Sequence, residues 1–385
     1  MARLLKSGEI RKFNAFEDVK AFIGDMEARY NWVEMLTSAT SYIGLEDNPI
    51  CVQQVMDTNG NYDPEVSPDT VVEEMNGTKL SVQIIINGKP VTYPVADTAY
   101  GQCFKRLGAD CSVLTGLKDS RNYREVYPTD KASILNTLAA YATGSNVSQI
   151  LVFDEEVRAN LSSDYTYVPY SGLLETALEE IQNTAEFVQM ENATVDYEYM
   201  TADFSFFDSE ISANLESAFN KVGVKSEIEA YVSIASSNVG SQAATIYPFV
   251  KAGGVKYMIG FPIKMNHTGD ASIQKFGENI KQIFTSFSDF EAKLDALENI
   301  KILNPADCLY NIGKKMQIAE KPLRNAYEDL DNDKGFQCTG VDIYLRLFDL
   351  VNSLGLSDIS LMQKSEVLAQ CCMNGIERFD MPIIK

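Results

Sequence analysis

A short stretch of the chain combines a cation with hydroxyl groups at a spacing that could bind an anion. Arg158, Ser162 and Tyr165 lie close together in the sequence. If the stretch is a strand, Arg158 and Ser162 lie on the same face, because side chains alternate between the two faces. A guanidinium and a hydroxyl group on one face could bind a phosphate or a carboxylate. The structural alternative is that Arg158 pairs with a nearby acid, such as Glu155, Glu156 or one in the helix that follows.

A second stretch interleaves aromatic rings with cations. Within residues 100–131, the side chains that could form a binding surface are Lys105, Arg106, Arg121, Tyr123, Arg124 and Tyr127. Rings stack on unpaired bases and cations contact phosphates, so this stretch predicts a site for single-stranded nucleic acid. The alternative is a pair of surface helices whose tyrosines pack inward and whose arginines are solvated or paired with acids.

The chain has little material for a metal or cofactor site. His267 is its only histidine, and a histidine followed by Thr-Gly favours a turn residue with a satisfied hydrogen bond. The seven cysteines form no Cys-x-x-Cys pair, so we expect no bound metal. There is neither a P-loop nor a dinucleotide-binding glycine motif, so we expect no cofactor. Catalysis by a cysteine and His267 would require the two to meet in space.

The cysteines and the apolar runs bear on the compartment. An odd number of scattered cysteines is typical of buried or free thiols in a reducing compartment. The first residues are charged and lack the apolar run of a secretory signal. The apolar runs are far shorter than the roughly 20 residues that span a bilayer. We therefore expect a protein of the bacterial cytoplasm that does not bind a membrane.

The chain is strongly acidic, with a formal net charge of −21. This charge disfavours wholesale binding to nucleic acid or to an anionic membrane. Residues 154–230 carry 17 acidic side chains against three basic ones. Such an acidic region could imitate the phosphates of a nucleic acid and occupy the site of a partner protein. The alternative is an ordinary solvated surface.

These candidate residues must be positioned by a mixture of helices and strands. Apolar residues recur at helical spacing over residues 16–36. Two β-rich runs within 79–95 flank Asn87-Gly88, the preferred chemistry of a type I′ hairpin turn. Further along, the patterns predict helices at 97–107, 132–141, 171–189 and 210–222, and strands at 149–153, 156–161, 195–207 and within 228–266. Helical periodicity dominates from residue 271 to the end.

The predicted fold class is α+β, with a mixed, mainly antiparallel sheet body and a C-terminal helical region. We divide the chain into three regions. Residues 1–96 form an N-terminal helix and β-hairpin region, residues 97–270 an α+β core, and residues 271–385 a helical C-terminal region.

Three segments of the core resemble one known family. They are Asp97-Thr98-Ala99-Tyr100-Gly101-Gln102 with Leu107-Gly108-Ala109, then residues 157–165 with their Arg-Ala and Ser-Asp-Tyr elements, and then Ser236-Ser237-Asn238-Val239-Gly240-Ser241 with Ile246-Tyr247-Pro248-Phe249 and His267-Thr268-Gly269. In this order they resemble the phage- and plasmid-like family known as domain of unknown function 932. The family's usual Cys-Asn-Gly element is missing, since Lys251-Ala252-Gly253-Gly254 stands in its place.

The resemblance implies a mobile-element origin and an accessory role in phage or plasmid DNA metabolism, and it supplies no catalytic residue. It adds Asn238 and His267 to Arg158, Ser162 and Tyr165 as a candidate anion-binding or structural site. We expect the three segments to converge in one domain, with the strand-like residues near Arg158 and those near Asn238 in one sheet.

The leading interpretation is a non-enzymatic phage- or plasmid-type accessory protein that acts in DNA metabolism by binding single strands or a recombination partner. The first alternative is an acidic inhibitor of a host defence system, which would bind a host or phage protein. The second is an uncharacterised enzyme, because 54 acidic residues leave room for a two-carboxylate site. A homo-oligomer is compatible with all three.

Overall fold

The fold is built from three antiparallel sheets and the helices that cover them. The computed structural model describes residues 3–6, 8–43, 80–86, 88–109, 128–142, 146–331 and 337–383. The strands are β1 (Arg11–Phe13), β2 (Asn31–Leu36), β3 (Ser41–Ile43), β4 (Ser81–Ile86), β5 (Lys89–Pro94), β6 (Val147–Phe153), β7 (Glu156–Ser162), β8 (Phe187–Val195), β9 (Met200–Phe207), β10 (Ile228–Ser236), β11 (Ala244–Ala252), β12 (Val255–Met258) and β13 (Ile263–Met265). The predicted α+β class is confirmed.

The helices lie mainly between the strands of the core and in the C-terminal region. They are α1 (Phe16–Glu27), α2 (Asp97–Arg106), α3 (Pro128–Tyr141), α4 (Tyr170–Gln182), α5 (Ser209–Lys221), α6 (Ile273–Ile283), α7 (Thr285–Ser288), α8 (Phe290–Glu298), α9 (Pro305–Lys315), α10 (Glu320–Asp331), α11 (Gly340–Ser353) and α12 (Asp358–Met373). Across the described ranges, none of them combines the length and the apolar character needed to cross a membrane. The predicted helical C-terminal region is confirmed.

The hairpin predicted within residues 79–95 is confirmed by the pairing of β4 with β5. Val82 pairs with Tyr93, and Ile86 pairs with Lys89. Gly88 has a φ of 76°, a backbone conformation that glycine adopts without strain. Asn87 lies outside the described residues.

Two helices predicted from apolar spacing end earlier than expected. α1 ends at Glu27, and the residues from Asn31 onward form β2, which pairs with β6. α4 ends at Gln182, and the chain then forms β8, which pairs with β9. The strand predicted over residues 195–207 therefore consists of the end of β8, a turn and β9. Pairing with a neighbouring strand outweighs helical spacing in both places, because short apolar patterns fit either structure.

The largest sheet has the strand order β1-β8-β9-β10-β11-β12, and β13 pairs with another part of β11. Its apolar face carries Phe204 and Phe206 of β9 and Val232 of β10, all buried. Phe206 packs against Phe284 and Phe287, with 5.0 Å between ring centroids in each pair. The C-terminal helices therefore share one hydrophobic core with the sheet.

Two smaller sheets share a second core. Their strand orders are β2-β6-β7 and β3-β4-β5, and a parallel bridge between Val95 and Val157 links them. α2 packs against β7 and buries Tyr100 and Phe104. β1 and β2, from the first predicted region, pair with β8 and β6 of the second. The pairings cross the predicted boundary, and the three-region division stays a prediction.

The five cysteines in the described ranges are all buried and unpaired. For these five, the expectation of buried or free thiols is confirmed. Burial raises the pKa of the Cys103 thiol to about 11, so this thiol is protonated near neutral pH. Cys51 and Cys111 lie outside the described residues.

Candidate ligand-binding site

An open pocket lies where three chain segments meet. Its walls are Leu161, Ser162 and Tyr165 at the end of β7, residues 240–243 between β10 and β11, and residues 266–268 after β13. The pocket has a volume of about 370 Å³, which is within the usual range for small-molecule sites. We call it the Tyr165 pocket.

Every side chain that lines the Tyr165 pocket in the described part of the chain is uncharged. Ser162, Asn266 and Thr268 offer hydroxyl and carboxamide groups, and these side chains form no hydrogen bond with another described residue. By contrast, Gln242 donates to the Tyr247 hydroxyl at 3.2 Å and accepts from a glutamine of α12. The first three side chains are therefore available to a ligand.

The connection between β10 and β11 is held by a local hydrogen-bond network. The Ser237 hydroxyl accepts from the N–H groups of Val239 at 3.3 Å and Ser241 at 3.1 Å. Gly240 has a φ of 77°, and a Cβ atom there would lie 2.8 Å from Cδ2 of Leu161. Glycine is the residue that fits this position without strain. Its small size lets the connection approach the end of β7 closely.

Three aromatic rings form a column that ends at the Tyr165 pocket. Trp32, on β2, stacks on Tyr165 with 5.7 Å between ring centroids. Tyr165 stacks in turn on His267 at 5.2 Å. Tyr165 is 8% exposed and His267 is 6% exposed, and both line the pocket. The column, defined as Trp32, Tyr165 and His267, gives one wall of the pocket an aromatic character.

Both ring nitrogens of His267 are occupied within the protein. Nδ1 lies 3.3 Å from the carbonyl oxygen of Thr166, and Nε2 lies 3.2 Å from the Ser236 hydroxyl. Because a carbonyl only accepts, Nδ1 carries the proton and Nε2 accepts from Ser236. Burial lowers the pKa of His267, which favours the neutral imidazole. The predicted satisfied hydrogen bond of this histidine is confirmed.

Ser236, His267 and the Thr166 carbonyl stand in the order of a nucleophile, a base and an orienting group. Ser236 is fully buried, and it is not part of the pocket wall. A nucleophile has to reach its substrate, so this serine is badly placed for covalent catalysis. The pair positions the imidazole against Tyr165.

Arg158 does not line the Tyr165 pocket and is engaged within the protein. Its guanidinium donates to the Leu5 carbonyl at 2.8 Å and pairs with Glu156 at 3.3 Å. The guanidinium carbon also lies 3.3 Å from the ring centroid of Tyr197. The ion pair with Glu156 is one of the structural alternatives stated from the sequence. In this arrangement Arg158, which is 2% exposed, has a structural role.

Arg158 and Asn238 lie in different sheets, so the prediction that their segments share one sheet is wrong. Arg158 is on β7, which pairs with β6, whereas Asn238 follows β10, which pairs with β9 and β11. The two residues nevertheless line one small cavity of about 10 Å³, which has room for about one water molecule. Asn238 is held there by its N–H group, which donates to the Tyr170 hydroxyl at 2.8 Å. Of the five predicted residues, Ser162, Tyr165 and His267 line the pocket instead.

Gln102 of α2 connects the segments that carry the family resemblance. Its side-chain oxygen accepts from the N–H group of Asn160 on β7, and its side-chain nitrogen donates to the carbonyl of Val239, both at 2.7 Å. Thr98, one turn earlier, donates to the carbonyl of Arg158 at 2.6 Å. The three segments therefore meet at this place, although the strands of the second and the third belong to different sheets.

Sequence reasoning missed several residues of this site. It did not single out Gln102 or Trp32 as functional, because each acts through partners that are distant in the chain. It did not single out Asn266, because its place in the pocket wall depends on how three separate segments meet. The one available signal was that Trp32 is the only tryptophan of the chain.

The predicted basic and aromatic surface is described only at its first two residues. Lys105 is exposed on α2. Arg106 is half-buried, and its guanidinium donates to the Val147 carbonyl at 2.9 Å. The other residues of this prediction lie outside the described ranges: Arg121, Tyr123, Arg124 and Tyr127. The nucleic-acid surface stays a prediction.

The acidic region of residues 154–230 is partly neutralised by cations from elsewhere in the chain. The ion pairs that bring in an outside cation are Arg29–Asp154, Lys20–Glu175, Lys281–Glu180, Lys256–Asp203 and Lys251–Glu229. One cation of this region, Lys221, pairs with an acid outside it, Glu291. An acid that is already paired is a poorer imitation of a phosphate than a free one.

Within the described ranges, no group of three or more histidine, cysteine, aspartate or glutamate side chains is arranged to hold a metal ion. Comparison of the chain with protein-family models, with curated proteins and with solved structures finds no match. The family resemblance therefore stays a prediction.

Proposed function

We propose that the chain is a non-enzymatic accessory protein that binds an unpaired nucleobase in the Tyr165 pocket. The observation that carries the proposal is the column of stacked rings, which ends at a pocket lined by uncharged hydrogen-bonding groups. A role in phage or plasmid DNA metabolism rests on the family resemblance alone.

A nucleobase matches the pocket in shape and in hydrogen bonding. Bases are flat and stack on aromatic side chains, with about 1–3 kcal/mol per base. Because both nitrogens of His267 are bonded to the protein, its ring offers a surface for contact rather than a hydrogen bond. The carboxamide of Asn266 supplies one donor and one acceptor, the pair of groups that can read the edge of a base.

The same contacts favour binding over catalysis. His267 cannot accept a proton from a ligand while its Nε2 accepts from Ser236. The base could be that of a free nucleoside or an unpaired base of a single strand, since both present the same ring and edge. The acidic inhibitor is the less favoured proposal, because five acids of residues 154–230 pair with cations from outside that region.

Isothermal titration calorimetry with the common nucleosides and a short single-stranded oligonucleotide tests the proposal. The wild-type protein should bind at least one of them. Asn266→Ala should weaken binding about tenfold, since a well-placed contact to a base edge contributes about 1–3 kcal/mol. The matched control is Asn14→Ala, in the exposed turn before α1, which should bind as the wild type does. Absence of binding by the wild type, or equal binding by the two variants, would remove the support for this site.

A further inference from the structure

We infer that the Tyr165 pocket takes its nucleobase as a free nucleoside, without a phosphate group. This inference rests on the proposed function and narrows the source of the base. The described lining contains no lysine or arginine, only aromatic, aliphatic and uncharged polar side chains. Protein sites for phosphate normally supply arginine or lysine, or the free N–H groups of a helix N-terminus.

The lysines that flank the pocket in the chain are already paired. Lys264, two residues before Asn266, pairs with Glu366 of α12 at 2.7 Å. Lys275, on the first turn of α6, pairs with Asp270 at 2.7 Å. A phosphate at the pocket would have to displace a carboxylate from one of these lysines before it gained a counter-charge.

The helix that begins beyond the pocket is already capped by a side chain of the protein. The hydroxyl of Ser272 accepts from the N–H group of Lys275 at 3.2 Å and caps α6. Asp270, two residues before Ser272, already pairs with Lys275 on this first turn. An incoming phosphate would therefore have to compete with the Ser272 hydroxyl for the helix N-terminus and with the carboxylate of Asp270 for Lys275.

One further acid stands next to lining residues in the chain. Asp164 is exposed and stands in the chain between the lining residues Ser162 and Tyr165. A phosphate carries more than one negative charge near neutral pH, and like charges at short range repel even in water. The uncharged part of a nucleoside, its ring and its sugar hydroxyls, suits the available groups of Ser162 and Thr268.

The test compares each nucleoside with its own 5′-monophosphate by calorimetry on the full chain. The monophosphate should bind about tenfold more weakly or worse, from the repulsion between like charges and the lack of a partner for the phosphate. Asp164→Lys should reduce the ratio of the nucleoside affinity to the monophosphate affinity, because it replaces the acid next to the lining residues by a cation. Glu298→Lys, at the exposed end of α8, makes the same charge change elsewhere and should leave the ratio unchanged.

The outcomes distinguish a failure of phosphate exclusion from a failure of nucleobase binding. If the monophosphate or a single-stranded oligonucleotide binds as tightly as the nucleoside, the exclusion of phosphate is wrong while the nucleobase pocket stands. If both lysine variants change the ratio equally, the effect comes from net charge and the role of Asp164 is wrong. If no nucleoside binds, the proposed function fails and this inference fails with it.

Discussion

At the scale of single residues, His267 shows how one imidazole can be fixed by its surroundings. Thr166 orients Nδ1, Ser236 donates to Nε2, and Tyr165 stacks on the ring. A protonated imidazole would lose the hydrogen bond that Ser236 donates and would place a charge in a buried site. The residue therefore serves the pocket in its neutral form.

His267 should make the stability of the protein depend on pH in the mildly acidic range. Burial lowers its pKa below the ordinary value of 6.5, so below that pH the unfolded chain binds more protons than the folded one. This contribution to stability is present above pH 6.5 and is lost as the pH falls towards the folded pKa. Urea denaturation of the wild type and of His267→Gln at several pH values measures this effect. Below pH 6.5, the free energy of unfolding should fall more steeply with decreasing pH in the wild type. Equal slopes would contradict a depressed pKa.

Gly240 should be the least replaceable residue of the β10–β11 connection. Alanine at a positive φ costs about 1–2 kcal/mol, and overpacking against Leu161 should add about 1–3 kcal/mol. Gly254→Ala provides the control, because its φ is 84° and no atom lies within 4 Å of its would-be Cβ. Thermal or urea unfolding should rank Gly240→Ala as the more destabilised variant. The opposite ranking would mean that Leu161 moves aside without cost.

At the scale of elements, the site depends on α2, a helix that contributes no wall to the pocket. Gln102 joins this helix to β7 and to the β10–β11 connection through Asn160 and Val239. Without it, a buried N–H group and a buried carbonyl would each lose a partner. The position of the connection is thus set by a side chain on a separate element.

Replacing Gln102 by alanine should destabilise the fold by about 2–4 kcal/mol, since each unsatisfied buried group costs about 1–3 kcal/mol. The matched control is Gln274→Ala on α6, whose side chain is exposed and bonds to Glu278 at 3.2 Å. The free energy of unfolding of this control should stay within about 0.5 kcal/mol of the wild-type value. Denaturant titration of both variants measures the difference. Similar values would show that Gln102 does not hold these elements together.

The sequence predicts elements best where their chemistry is local. The β4–β5 hairpin follows from Asn87-Gly88 and its flanking strands, and β7 from its own pattern. Prediction from the sequence fails at residues 31–36. Tyr30 and Val33 continue the helical spacing of α1, but the segment pairs with β6 and forms a strand. Of the candidate site, Ser162, Tyr165 and His267 were found from local motifs. Trp32 and Gln102 were not, because their partners are set by tertiary packing.

At the scale of the whole molecule, the sheet and the C-terminal helices are mutually dependent. The apolar face of the largest sheet is covered by side chains such as Phe284 and Phe287, which pack against Phe206 of β9 in the same core. The face would be open to water without them. The sheet and the C-terminal helices should therefore unfold together in one cooperative transition.

A chain that ends at residue 270 should fail to fold cooperatively, because it would expose this apolar face. A chain that ends at residue 383 keeps all described helices and should unfold as the full protein does. Circular dichroism during urea titration distinguishes the two. A sharp, full-amplitude transition for the shorter chain would contradict a shared core and would favour an independent domain.

The most direct test of nucleobase binding uses the single tryptophan. Trp32 is the only one in the chain and stacks on Tyr165, so its fluorescence should report a ligand at the end of the column. Selective excitation of Trp32 during titration with the nucleoside that gives calorimetric heat should show a saturable change with the same affinity. The change should be absent with free ribose, and it should weaken strongly in Thr268→Tyr, which places a large side chain at the exposed side of the pocket. A fluorescence that does not respond to the nucleoside, or that responds equally in the wild type and in Thr268→Tyr, would show that the Tyr165 pocket does not bind the base.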